Sequence, residues 1–113
     1  MKNKRYCLAL DLIDDPDLIA EYQRYHEAGN VWPEITQSIK DAGVIDMEIY
    51  LSGNRLFAIL EVNEMFSFEA KALADNANKK VQEWEALMAT MQLPLPWAAK
   101  GEKWLLMDRI FTL

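Results

Sequence analysis

Residues 45–62 read IDMEIYLSGNRLFAILEV, and this stretch decides the fold. In its first seven residues apolar and polar side chains alternate, which is the period of two that is typical of a β-strand. Ser-Gly-Asn at 52–54 predicts a tight turn, and residues 55–62 return as a second strand, so the stretch is a hairpin. Both sides of the second strand are apolar, because Phe57 and Ile59 lie opposite Leu56, Ala58 and Leu60. We therefore expect both faces of the hairpin to be covered.

Toward the N-terminus, the sequence predicts a strand followed by two helices. Residues 6–12 form a short apolar run, as expected of a buried strand. Asp15 precedes a proline, which predicts a helix start because aspartate caps free N–H groups and proline suits the first turn. This helix is expected to end by Gly29, and a second one to run from Pro33 to Gly43.

Toward the C-terminus, residues 66–91 contain helical spacing without Pro or Gly. We expect one or two helices there, with a break near residues 75–78. Two prolines at 93–97 exclude a continuing helix and predict an ordered surface segment. Residues 103–113 alternate apolar side chains on both sides and predict a closing strand.

The predicted order of elements is β-α-β-β-α-β, the ferredoxin-like motif of an α+β domain. Its four-stranded antiparallel sheet carries helices on one face and needs cover on the other. A second copy of the chain is the simplest cover, so we expect a homodimer of the kind called a dimeric α/β barrel. The length of 113 residues predicts a single domain over residues 1–113.

Composition and charge exclude several kinds of partner. The formal charge is −6, from 12 basic and 18 acidic residues, so we expect no nucleic acid partner and no anionic membrane partner. No apolar stretch approaches the roughly 20 residues of a membrane span, and Asp11 interrupts the opening apolar run, which argues against a signal peptide. The one cysteine, Cys7, cannot form an internal disulfide and favours a cytoplasmic location.

The only histidine, His26, is the strongest candidate for chemistry. It lies four residues after Tyr22 on a predicted helix, so the imidazole and the phenol share a face. One histidine and a distant cysteine do not supply a metal site, and the sequence has neither a Gly-x-Ser-x-Gly nucleophile motif nor a glycine-rich phosphate loop. We therefore expect no metal and no cofactor, and general acid–base chemistry by His26 with Tyr22 in support. From spacing alone, a purely structural histidine is the commoner outcome.

Five segments together give a resemblance to a known family. They are Glu21-Tyr22-Gln-Arg-Tyr-His26, Trp32-Pro33-Glu34, Ile49-Tyr50-Leu51, Gln82-Glu-Trp84 and Ile110-Phe111. Over essentially its whole length the chain resembles the L-rhamnose mutarotases. The resemblance implies a dimeric ferredoxin-like barrel that interconverts the α and β anomers of a 6-deoxy sugar without metal or cofactor.

The same resemblance implies roles for individual residues. His26 matches the family's proton donor, and Tyr22 matches a tyrosine that binds substrate, which leaves open whether this hydroxyl also moves a proton. Trp84 matches the first residue of a tryptophan pair that binds sugar, and Trp32 is a further candidate for stacking on the sugar.

Two positions depart from the family pattern and bear on the choice of sugar. Glu85 stands where the second tryptophan of the pair is expected. Met47 stands where a tyrosine is expected, and Tyr50 is the nearest phenol. Because a carboxylate can pair with a hydroxyl that an indole cannot, and because residues 101–111 resemble the branch that uses L-fucose, the sequence favours L-fucose while L-rhamnose stays open.

Two other classes of function fit the same expected architecture. Dimeric α/β barrels include monooxygenases that use haem or no cofactor, for which His26 would be an axial ligand. A non-catalytic module would use Tyr22 and His26 only to bind a small molecule.

Overall fold

The structure is a computed structural model that describes residues 3–113, and these residues form five strands and four helices. The strands are β1 (Lys4–Leu12), β2 (Val44–Ser52), β3 (Arg55–Val62), β4 (Gln92–Leu93) and β5 (Leu105–Leu106). The helices are α1 (Pro16–Tyr25), α2 (Pro33–Asp41), α3 (Phe68–Asn76) and α4 (Lys79–Ala89). The predicted α+β fold with its central hairpin is confirmed.

All pairs in the sheet are antiparallel, and the strand order is β2-β3-β1-β4, with β5 also pairing with β1. β4 lies beside residues 11 and 12 of β1, and β5 lies beside residues 8 and 9. The last strand of the ferredoxin-like order is therefore built from two short pieces, and the predicted topology is retained.

The predicted closing strand over residues 103–113 is wrong in its extent. Strand pairing is limited to Leu105 and Leu106, and one further backbone bond joins the Met107 N–H to the Cys7 carbonyl at 2.8 Å. Beyond it the apolar side chains Ile110 and Phe111 are 95% and 75% exposed. A strand needs a partner edge as well as an apolar pattern, and within residues 3–113 the strand pairs on the outer edge of β1 are those with residues 92–93 and 105–106.

Local signals in the sequence account for the helix boundaries. Asp15 Oδ1 accepts hydrogen bonds from the backbone N–H groups of Asp17 and Leu18, at 2.8 and 3.3 Å, which caps α1 as predicted. The predicted break between the late helices falls at residues 77–78, where Asn78 caps α4. Gly43 follows α2 with a φ of +101°, a conformation that few residues other than glycine adopt.

The helices cover one face of the sheet, and the main core lies between them. The buried members of this core come from β1, β3, all helices except α3, and the segment after α4. They are Leu12, Tyr22, Ile35, Leu56, Val81, Trp84, Met88 and Met91. The helix-covered face thus positions the aromatic side chains that the sequence singled out.

The face of the sheet that points away from the helices carries an ion pair and aromatic side chains. Asp11 is only 4% exposed and accepts two hydrogen bonds from Arg55, at 2.7 and 3.1 Å, and the pKa of Arg55 is raised chiefly by this hydrogen bonding. The ring of Trp97 lies over the guanidinium at 5.0 Å. Tyr50 on this face is 53% exposed, whereas Cys7 is half-buried. Within one chain the sheet stays open and does not close into a barrel.

Candidate functional site

The end of α1 fixes the orientation of the histidine. His26 is the C-cap residue of α1, and its Nδ1 lies 2.7 Å from the backbone carbonyl oxygen of Tyr22. A carbonyl oxygen only accepts, so Nδ1 must carry the hydrogen in this bond. Nε2 is then the nitrogen that can accept a proton and give it back.

Tyr22 packs directly against this imidazole. The two rings are stacked, with centroids 4.4 Å apart and an interplanar angle of 29°, and Tyr22 is 4% exposed. Burial raises the pKa of the Tyr22 hydroxyl, and a hydrogen bond with the Gln92 side chain opposes this only in part. Near neutral pH the side chain is therefore a protonated phenol.

Trp84 is the centre of a group of aromatic side chains. It is buried on α4 and meets the His26, Trp32 and Tyr25 rings edge-on, at centroid distances of 5.7, 5.1 and 6.1 Å. Trp32 is the residue before the first turn of α2, and Lys80 Nζ lies 5.7 Å from its ring. We call Tyr22, Tyr25, His26, Trp32 and Trp84 the aromatic cluster.

The structure brings four of the seven residues predicted for the site into this cluster, and leaves three outside it. Glu85 is exposed on α4, and its Oε1 lies 3.5 Å from Gln82 Nε2. Met47 pairs with Leu60 on the helix side of the sheet and is 37% exposed. Tyr50 pairs with Phe57 and lies on the opposite face of the sheet, away from His26.

Two residues at the site were not predicted as functional from the sequence. Tyr25 lies inside the quoted helical segment, and its spacing placed it on the inward stripe, but a core role is the default for such a residue. The sequence did not predict Gln92 as a site residue, because its contact with Tyr22 joins positions far apart in the chain.

A cavity of about 350 Å³ adjoins the aromatic cluster. It is lined by Glu21, Arg24, Tyr25, Asn30 and Trp32. Tyr25 and Trp32 belong to both the cavity and the cluster, whereas His26 is not among the lining residues.

Residues 3–113 contain no group of three or more His, Cys, Asp or Glu side chains placed to hold a metal ion. Nor does any helix in the described part of the chain have the length and apolar character needed to cross a membrane.

Fold and site together define a ferredoxin-like domain with a histidine set among aromatic side chains. A family model described as L-rhamnose mutarotase matches residues 5–113. The chain is 45% identical to an L-fucose mutarotase of Xanthomonas campestris pv. campestris, over 100% of this chain and 90% of that protein. It is 33% identical to an L-rhamnose mutarotase of Enterococcus faecalis, over 91% of this chain and 96% of that protein.

A solved structure agrees on the fold. The crystal structure of an L-rhamnose mutarotase from Formosa agariphila matches with a TM-score of 0.69 and 21% identity, over 97% of this chain and 98% of that one. The chain belongs to the L-rhamnose mutarotase family. The sequence-based prediction of an isomerase of the mutarotase type, acting on the anomers of 6-deoxyhexoses, is thereby confirmed.

Proposed function

We propose that this mutarotase prefers L-fucose to L-rhamnose and that His26 transfers the proton. The observation that carries the proton-transfer role is the hydrogen bond from Nδ1 to the Tyr22 carbonyl, at 2.7 Å, which leaves Nε2 available. Support for L-fucose comes from the 45% identity to the L-fucose mutarotase and from Glu85 in place of an expected tryptophan.

The proposed mechanism opens and recloses the sugar ring. The ring oxygen gains a proton while the anomeric hydroxyl loses one, and the bond between C1 and the ring oxygen breaks to give the open-chain aldehyde. Rotation about the C1–C2 bond turns the carbonyl face, and closure reverses both proton transfers. His26 Nε2 gives and regains a proton in each cycle, so the protein ends unchanged. A rate acceleration of about two to four powers of ten by general acid–base catalysis corresponds to a lowering of the activation free energy by roughly 3–5 kcal/mol.

Tyr22 enters this proposal as a positioning residue. Its raised pKa keeps the proton on the phenol, and its hydroxyl already contacts Gln92. Its ring stacks on the imidazole and holds it in place. The second proton-transfer group is then supplied by solvent or by the sugar's own hydroxyls, and we assign it to no residue.

Sugar recognition is proposed to fall on the helix side of the sheet. Trp84 and Trp32 offer apolar ring surface for the C–H groups and the methyl of a 6-deoxy sugar. Glu85, which follows Trp84 on α4, would accept a hydrogen bond from a hydroxyl. L-fucose and L-rhamnose differ in the orientation of the hydroxyls on C2 and C4, so this bond would discriminate between them. Met47 is proposed to border the sugar from β2.

We further propose that the 113 residues act as one domain in a cytoplasmic homodimer. The half-exposed Tyr50 and the apolar Phe57 and Ile59 on the sheet face away from the helices support a second copy as cover. The free thiol of Cys7 supports a reducing compartment. Sedimentation equilibrium measures the mass directly, and a monomer at micromolar concentration would contradict the dimer.

Saturation-transfer NMR on L-fucose and L-rhamnose tests the function. Wild-type protein is expected to accelerate exchange between the anomers of both sugars, and of L-fucose more. His26→Ala is expected to remove the acceleration, while Glu27→Ala, at the exposed neighbouring position, retains it. Undiminished exchange in a folded His26→Ala protein would overturn the role of His26.

Glu85→Trp tests the choice of sugar in the same assay. The ratio of the L-fucose rate to the L-rhamnose rate is expected to fall at least several-fold, because the carboxylate is replaced by an indole. An unchanged ratio would show that Glu85 does not discriminate between the sugars.

A further inference from the structure

We propose that the cavity beside the aromatic cluster is a second monosaccharide site, which adjoins the place where His26 Nε2 acts and shares Trp32 with it. Its volume of about 350 Å³ falls at the lower end of the range of roughly 300–1,000 Å³ for small-molecule sites. His26 does not line it, so a sugar bound there would not react.

Hydrogen bonds hold the walls of the cavity in place without a ligand. Asn30 Nδ2 donates to the carbonyl of Arg24 at 2.7 Å, and the Asn30 N–H donates to the carbonyl of Glu27 at 2.9 Å. Gly29 lies between them with a φ of +86°, which lets the chain turn back onto the end of α1. The cavity is therefore pre-formed, which lowers the cost of ordering on binding.

The charges that line the cavity select a neutral ligand. Glu21 and Arg24 carry opposite charges, and neither forms an ion pair in the part of the chain that the structure describes. An anion would meet Glu21 and a cation would meet Arg24. A neutral polyhydroxyl compound satisfies both, because its hydroxyls donate to the carboxylate and accept from the guanidinium.

Two aromatic rings complete the arrangement. Tyr25 and Trp32 offer apolar surface for the C–H face of a pyranose, so the lining combines ring surface with planar polar groups. The choice of a sugar over other neutral polyols rests on the proposed function. Trp32 is also proposed to contact the reacting sugar, and it packs against Trp84, which packs against His26, so the two sites share the Trp32 indole.

An NMR titration of ¹⁵N-labelled protein with L-fucose tests the second site. The side-chain amide of Asn30 reports on the cavity, and the ring nitrogens of His26 report on the reaction site. In wild-type protein both sets of signals are expected to shift. In Arg24→Gln and Glu21→Gln the midpoint of the Asn30 response is expected to rise at least tenfold, while the His26 response and the anomer exchange persist. Glu27→Gln is the matched control on the same turn.

Several outcomes would overturn the second site. The first is an Asn30 amide signal that does not shift with L-fucose. The second is an Asn30 signal whose midpoint follows that of His26 in every variant. The third is an Asn30 signal that shifts equally with glycine, which is a zwitterion. Failure of the proposed function can be told apart from failure of the second site. In that case wild-type protein would not accelerate anomer exchange, while its Asn30 signal would still shift with L-fucose.

Discussion

Tyr22→Phe tests whether the Tyr22 hydroxyl only positions His26 or also moves a proton. The expected loss of stability follows from the burial of this side chain. The change removes one oxygen from a side chain that is 4% exposed and leaves the ring that stacks on His26. Loss of a hydrogen bond such as that with Gln92 costs about 1 kcal/mol of unfolding free energy, or roughly 4 °C in Tm for a chain of this length. The anomer exchange rate is expected to fall by about tenfold or less, whereas a proton relay would cost about two decades or more.

The pH dependence of stability gives a second measurement on the same pair of proteins. Burial raises the pKa of Tyr22 above its ordinary value of 10.0, so the unfolded chain loses this proton first as the pH rises. The stability linked to the neutral phenol is fully present below pH 10 and is lost as the pH rises through the folded-state pKa. Urea denaturation should therefore show a constant difference between wild type and Tyr22→Phe up to about pH 9, and a shrinking one above pH 10.

The matched control is Tyr50→Phe, since that ring is 53% exposed, and its effect on stability at neutral pH should stay within about 0.5 kcal/mol. A difference between wild type and Tyr22→Phe that stays constant throughout the alkaline range would refute the burial of the hydroxyl. A loss of exchange by two decades in folded Tyr22→Phe would refute the positioning role.

Three further predictions concern the histidine, the core and a turn. In ¹⁵N NMR the neutral form of His26 should carry its hydrogen on Nδ1, because its partner is a carbonyl at 2.7 Å, and a hydrogen on Nε2 would contradict this. Trp84→Ala should cost about 3–5 kcal/mol in urea denaturation, as a buried tryptophan does, and a loss below 1 kcal/mol would mean that the site collapses around it. Gly43→Ala should cost more than Gly53→Ala, on the order of 1–3 kcal/mol, because its Cβ would lie 2.7 Å from Asn63 Oδ1 while that of Gly53 meets nothing within 4 Å; equal losses would contradict the clash.

The parts of the fold that depend on local chemistry could be predicted from the sequence. Residues 45–62 contain both their period of two and their turn, and Asp15 needs only the next three residues to cap α1. The extent of the last strand could not be predicted, because the alternation in residues 103–113 does not say how much of the β1 edge will pair with it.

The same distinction applies to the site. Tyr22 and His26 meet because positions four apart share a helix face, which the sequence alone predicts. Gln92 reaches Tyr22 from another element, which no spacing rule shows. Trp84 and Glu85 are adjacent in sequence, yet one is buried and the other exposed, because each residue turns about 100° around the helix axis.

The hydrogen bond from His26 to the main chain of its own helix also bears on how such a protein can change during evolution. The ring nitrogen that carries the hydrogen is set by a backbone carbonyl, which every residue type supplies, so this property of His26 depends on no second side chain. Positions on α4 and β2 can then be exchanged without moving that hydrogen to the other ring nitrogen. A lineage can in this way acquire a new sugar while its proton chemistry is passed on intact.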